Sequence, residues 1–153
     1  MISFRVIAQK DSIFELNSFG EFSEASSITS SRGEFIFVSD IGTNKIFKFN
    51  INGELLQTYG GTGLNKYELN QPVSIDASSG LDIFVCDQLN NRIVKLDNKM
   101  NLISIFDFNI YNSQAENSKK IFNPSSITTT STGDLFILCD AGNYETVRIK
   151  DFN

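Results

Sequence analysis

Residues 82–96 read Asp82-Ile83-Phe84-Val85-Cys86-Asp87-Gln88-Leu89-Asn90-Asn91-Arg92-Ile93-Val94-Lys95-Leu96. Two runs of β-branched and aromatic residues flank a polar step from Asp to Asn, the pattern of two strands joined by a turn. The stretch recurs upstream as Phe35-Ile36-Phe37-Val38-Ser39-Asp40 and Asn44-Lys45-Ile46-Phe47-Lys48-Phe49. Downstream it recurs as Leu135-Phe136-Ile137-Leu138-Cys139-Asp140. Each copy follows a Ser-Ile pair, Ser27-Ile28, Ser74-Ile75 or Ser126-Ile127, and a turn glycine, Gly33, Gly80 or Gly133. The chain is a repeat with a period of about 50 residues, within the range of solenoids and propellers.

The alternation predicts strands at 25–30, 34–39, 45–49 and 54–59 in the first unit, and at 73–77, 82–86, 92–96 and 102–106 in the second. The third unit has 125–130, 134–139 and 146–151, and helices have almost no room. A small twisted sheet cannot cover both of its faces alone, so a four-stranded antiparallel unit that repeats reads as a blade stacked around an axis. The expected fold is all-β, a β-propeller of about three blades per chain. Runs at 4–8 and 13–17 look like the last two strands of a preceding blade. The expected units are 1–24, an incomplete blade and link; 25–71, the first blade; 72–123, the second with an insert; and 124–153, the third without its outer strand.

The stretch Pro72-Val73-Ser74-Ile75-Asp76, the apolar run to Asp87, Asn90-Asn91-Arg92-Ile93-Val94-Lys95-Leu96-Asp97 and the link Tyr59-Gly60-Gly61-Thr62-Gly63 resemble the NHL repeat. The second unit matches best, the first has Lys45 where Arg is usual, and after Asp140 the basic residue of the third arrives late, at Arg148. The resemblance implies a propeller, commonly of six blades, without implying one function. Three blades do not close a ring. A second copy related by a two-fold axis supplies about six and removes open faces and edges. The other readings are a piece of a longer propeller, or half of a ring shared with a different partner.

Composition narrows the function. The 153 residues carry 13 Lys+Arg against 18 Asp+Glu, a net charge of −5, and no His. Without imidazole there is no His-based triad, Cys–His dyad or His-ligated zinc site. Net acidity argues against a nucleic-acid partner. No apolar run is long enough to span a bilayer or form a signal peptide after Met1, so no membrane partner is expected. The chain as written is expected in the cytoplasm, or outside it if a leader lies upstream. Cys86 and Cys139 sit in strand-like runs and read as buried thiols, with a disulfide as the lesser reading.

Asp40, Asp87 and Asp140 close the second strand of each unit and read as loop clamps, with Asn44, Lys45, Asn91 and Arg92 as their partners. Repetition argues for architecture, because catalysis needs one special constellation. The inserts at 62–70 and 109–118 should emerge on the same rim as these loops, where rigid scaffolds bind partners. Lys66, Tyr67, Tyr111, Asn143, Tyr144 and Glu145 are the candidate contacts. Asp76 is the one acid among the inner-strand residues Ser27, Thr29, Ser74, Ser126 and Thr128. It is a weak candidate ligand for the calcium of propeller hydrolases, a cation that wants six to eight oxygens. Gly60–Gly63 lacks phosphate-loop spacing and reads as a link, and Lys119-Lys120 as a solvated spot. The expectation is a non-enzymatic protein- or ligand-binding scaffold without a cofactor, with a calcium-dependent lactonase-like hydrolase or a structural subunit as alternatives.

Overall fold

The computed structural model describes residues 18–114, 123–140 and 144–150. Three separate antiparallel sheets follow one another along the chain. The first holds β1 (Ala25–Ser31), β2 (Phe35–Asp40), β3 (Lys45–Asn50) and β4 (Leu55–Gly60). The second holds β5 (Pro72–Asp76), β6 (Asp82–Asp87), β7 (Arg92–Asp97) and β8 (Leu102–Asp107). The third holds β9 (Pro124–Thr129), β10 (Leu135–Asp140) and β11 (Tyr144–Ile149). Within each sheet the strands pair in sequence order as a meander. The architecture is all-β, in propeller blades, and strand ends fall within two residues of those expected. The two strands expected at 4–8 and 13–17 lie outside the described residues, as does Lys119-Lys120.

Strand alternation gives every blade two faces, and neighbouring blades bury them against each other. Phe37, Ile46 and Tyr59 of the first blade meet Ile75, Ile83, Val85, Val94 and Leu96 of the second. The opposite face of the second blade, with Phe84, Cys86, Ile93 and Phe106, meets Ile127, Leu135, Ile137 and Cys139 of the third. Both thiols are therefore buried inside one core and unpaired.

Inner strands are sheet edges, and their outward N–H groups need partners. The preceding blade provides them. Ser27 Oγ accepts from Ile75 N–H (3.4 Å) and Thr29 Oγ1 from Ala77 N–H (3.3 Å). One blade later Ser74 Oγ accepts from Ile127 N–H (3.3 Å) and Asp76 Oδ2 from Thr129 N–H (2.6 Å).

One helix departs from expectation, α1 (Phe108–Gln114), where the sequence reads as a loop. Asp107 Oδ1 accepts from Asn109 N–H (2.8 Å), as an N-terminal cap does. Phe108 is fully buried and anchors the first turn.

A second departure is register. β9 and β10 pair Ile127 with Ile137 and Pro124 with Cys139, where β5 and β6 pair Ile75 with Val85 and Pro72 with Asp87. Cys139, not Asp140, therefore occupies the place of Asp87, and Glu145, its partner on β11, occupies the place of Arg92. Arg148 is not a late Arg92. It pairs with Phe136 as Lys95 pairs with Phe84 and Lys48 with Phe37. Each of these cations lies over its phenyl ring, at 5.8 Å for Lys48, 5.7 Å for Lys95 and 5.7 Å for Arg148. Arg148 also contacts the Asp134 carboxylate, as Lys95 contacts Asp82 (3.3 Å).

Candidate functional site

The β2–β3 and β6–β7 loops and the link between the first two blades share one rim. Asp87 builds it. Its carboxylate is fully buried and accepts from Asn70 N–H (2.6 Å), Asn90 Nδ2 (2.8 Å) and Arg92 Nε (2.7 Å). Burial pushes the Asp87 carboxyl above its ordinary range, against the pull of these donors. Arg92 is 7% exposed and turns its other nitrogens to carbonyls of the link, Leu64 (3.2 Å), Asn65 (3.0 Å) and Glu68 (2.8 Å). Asn90, which sequence reasoning passed over, adds Nδ2 to Gly63 O (2.9 Å). The link 61–70 is thus tied to a buried ion pair.

Asp40 does the same work without a cation. Its carboxylate accepts from Ser23 N–H (2.8 Å), Glu24 N–H (2.8 Å) and Gly42 N–H (2.9 Å). Desolvation opposes its ionised form, and these bonds outweigh it, holding the carboxyl below its usual range. No ion pair joins Lys45 to Asp40 among the described residues, although β2 and β3 place them opposite each other. Asp140 lies one residue beyond the position its two counterparts hold, so the third loop has no equivalent carboxylate there.

Asn44 and Asn91 form a second repeated clamp. Both adopt left-handed backbone, φ 56° and 52°, which Asn tolerates better than most residues. Asn44 Oδ1 accepts from Gln71 N–H (2.7 Å) and Asn91 Oδ1 from Asn123 N–H (2.9 Å), so each fixes the start of the next blade. Gly60, at φ 101°, passes so close that an added Cβ would lie 2.7 Å from the Asn44 carbonyl oxygen. The Gly60–Gly63 stretch is accordingly a link between blades.

The candidate contacts divide. Tyr67 is 57% exposed, with Lys66 Nζ 4.8 Å over its ring, and the Lys66 carbonyl accepts from Tyr59 Oη (2.8 Å). Burial pushes the Tyr59 phenol up to about 12. Tyr111 is half-buried, its ring 5.8 Å from Phe106, and it packs on the core between the second and third blades. Glu145 is half-buried on β11. Asn143 and the Tyr144 side chain lie outside the described residues. Asp76 is engaged on both oxygens, Oδ1 by Ser78 N–H (3.0 Å) and Oδ2 by the N–H and hydroxyl of Thr129 (both 2.6 Å). It acts as an inter-blade clamp.

Three exposed apolar side chains on the rim escape the sequence reading: Leu64 at 74%, Leu89 at 56% and Ile110 at 58%. Their segments are joined, since Leu89 N–H donates to Asn70 O and Asn91 Nδ2 to Asn109 Oδ1. With Tyr67 they give the rim an apolar surface on a rigid base. On the opposite face a cleft of about 520 Å³ opens between the β5–β6 and β9–β10 turns, lined by Arg32, Ser79, Lys95 and Thr130 among others. Arg32 crosses Gly80 to donate to Ser79 O (3.0 Å) between the first two blades, and its counterpart in the second blade, Ser79, is too short to do so.

No family model and no curated protein matches the chain. Solved propellers do. A catalytically inactive histidine-to-alanine variant of virginiamycin B lyase from Staphylococcus aureus, with quinupristin, is similar at TM-score 0.59 and 14% identity, over 84% of this chain and 39% of that one. A streptogramin B lyase structure is similar at 0.55 and 17%, over 86% and 42%. The WD40 propeller domain of Doa1 is similar at 0.51 and 14%, over 78% and 34%. At these identities the likeness carries the fold alone. The chain spans about two fifths of the length of the lyase structures, and its three sheets are blades of a β-propeller.

Proposed function

We propose that the chain is a non-enzymatic propeller half of the NHL type, completed to a ring of about six blades by a second copy or another propeller half, which offers its rim to a protein partner. The observation that carries this reading is the rim itself. Leu64, Tyr67, Leu89 and Ile110 are exposed on segments fixed by a buried ion pair and an asparagine clamp. Apolar and aromatic side chains held out on rigid loops are what partner surfaces use. The Asp87 and Asn91-Arg92 positions that form these clamps are also those that resemble the NHL repeat.

The test is capture of binding partners by the intact chain and by two variants. Leu64→Ser with Leu89→Ser should lose the partners, and Leu81→Ser, which alters a 67% exposed residue on the opposite face, should keep them. Equal capture by all three would refute the rim.

An enzymatic reading would start from the two lyases among the similar structures, whose likeness to this chain is one of fold. The virginiamycin B lyase variant loses activity with its histidine, and these 153 residues carry no His to take such a role. A calcium-dependent hydrolase would recruit Asp76, whose oxygens already hold Ser78 and Thr129. The scaffold reading expects no rise in melting temperature with Ca²⁺, and a rise of several degrees would favour the hydrolase.

A further inference from the structure

The inner strands carry their own instructions for the next contact. Ser27 and Thr29 of the first blade accept the N–H groups of Ile75 and Ala77 in the second, and Ser74 and Asp76 accept those of Ile127 and Thr129 in the third. Stepping the pattern once more, Ser126 and Thr128 are the acceptors that the third blade offers onward, and both are exposed. Stepping it backwards, Ile28 and Ser30 are the positions in the first blade that correspond to Ile75 and Ala77, or to Ile127 and Thr129. Ile28 is 69% exposed, whereas Ile75 is 4% and Ile127 6% exposed because a preceding inner strand covers each. Phe19 and Phe22 cover the outer part of that first face by packing on Phe47 and Phe49. Among the described residues nothing covers Ile28.

We propose that the open face of the first blade is covered by the third blade of a second copy, with that copy's Ser126 and Thr128 accepting from the N–H groups of Ile28 and Ser30. The inference rests on the ring-completion reading above and commits it to one partner and one register. Both surfaces belong to the same chain, so a two-fold axis uses the joint twice and leaves neither unmatched. The residue types agree. Ser126 repeats Ser74 and Ser27, and the Ser30 hydroxyl stands where Thr129 gives Asp76 a second hydrogen bond (2.6 Å). The face is also apolar where it must be, through Ile28 and the buried Val38 beside it on β2.

Sedimentation velocity across a dilution series tests the joint on the full chain and two variants. Ile28→Asp alters an exposed side chain, so the monomer should fold, and a charge buried in the joint should weaken association at least 100-fold. Thr128→Asp recreates the Asp76 clamp, and exchanging a neutral for a charge-assisted hydrogen bond should tighten association about fivefold or more. A wild type that stays monomeric overturns both the joint and the self-completed ring. A dimer unaffected by Ile28→Asp overturns the joint and leaves the ring reading standing. A dimer broken by Ile28→Asp but not tightened by Thr128→Asp overturns the register.

Discussion

Replacing Asp87 with Ala should be the most damaging single change at the rim. The carboxylate has no solvent exposure and three donors within 2.8 Å, one of them the guanidinium of Arg92. Its loss leaves a buried cation without a counter-charge, which typically costs 3–5 kcal/mol, so roughly that range is expected here. Because Arg92 keeps the carbonyls of Leu64, Asn65 and Glu68, the lower end, about 3 kcal/mol, is the expectation. Native domains hold only about 5–15 kcal/mol in total, and a chain of this size loses about 2–4 °C per kcal/mol, so the midpoint should fall by roughly 6–12 °C. The assay is urea and thermal unfolding of wild type, Asp87→Ala and the double variant with Arg92→Met. The second change removes the orphaned charge and should restore about 1 kcal/mol or more. Asp40→Ala, which strands no cation, should cost less than Asp87→Ala. A loss under about 1 kcal/mol for Asp87→Ala, or a double variant worse than the single by the full cost of Arg92→Met alone, would refute the buried lock.

Other consequences follow from the same contacts. Asn91→Ala forces a non-tolerant residue into φ 52° and removes the bond to Asn123, for about 2–3 kcal/mol, and Asn91→Gly, which relieves the backbone, should cost less in the same unfolding assay. Equal losses would show that the backbone is unstrained. Asp40 has a folded pKa below its unfolded one, so its contribution is fully present above about 3.9 and is lost as pH falls through the lowered value. The gap in urea midpoint between wild type and Asp40→Asn should therefore be full at pH 6 and shrink steadily as pH is lowered below about 3.9, and a gap that stays constant down to the lowest pH at which the chain folds would remove Asp40 from the acid response. Burial raises the Cys139 thiol to about 11 and the Cys86 thiol further, so neither should react with iodoacetamide at pH 8 until the chain unfolds. Native-state alkylation would contradict the core between the second and third blades.

The blades were legible because strand alternation and turn residues recur from unit to unit. The third blade misled at the residue level for a physical reason. Gly133 makes the same turn bond as Gly80, to Thr130 O and Ala77 O respectively, yet the strands beyond it pair one residue out of step with the glycines. The spacing of Gly and Asp thus puts Asp140 where Cys139 stands, and hides the equivalence of Arg148 with Lys95. The helix at 108–114 was hidden because Asp107 reads as the end of a strand and acts also as a cap. Asp87 and Arg92 were legible as a pair from their spacing. The exposed Leu64 and Leu89 were not, since a single leucine in a Gly- and Asn-rich loop carries no periodicity to say which way it faces. Ser27 and Ser74 read as inner-strand residues; that they reach the next blade's backbone depends on contacts between sheets, which no local pattern records.

In the proposed assembly these blades form half of a ring that a second copy completes. Light scattering of the wild-type chain on a sizing column, at falling concentration, tests it most directly. A two-copy ring gives a stable species at twice the 17.1 kDa of one chain. A single species at 17.1 kDa throughout would contradict it.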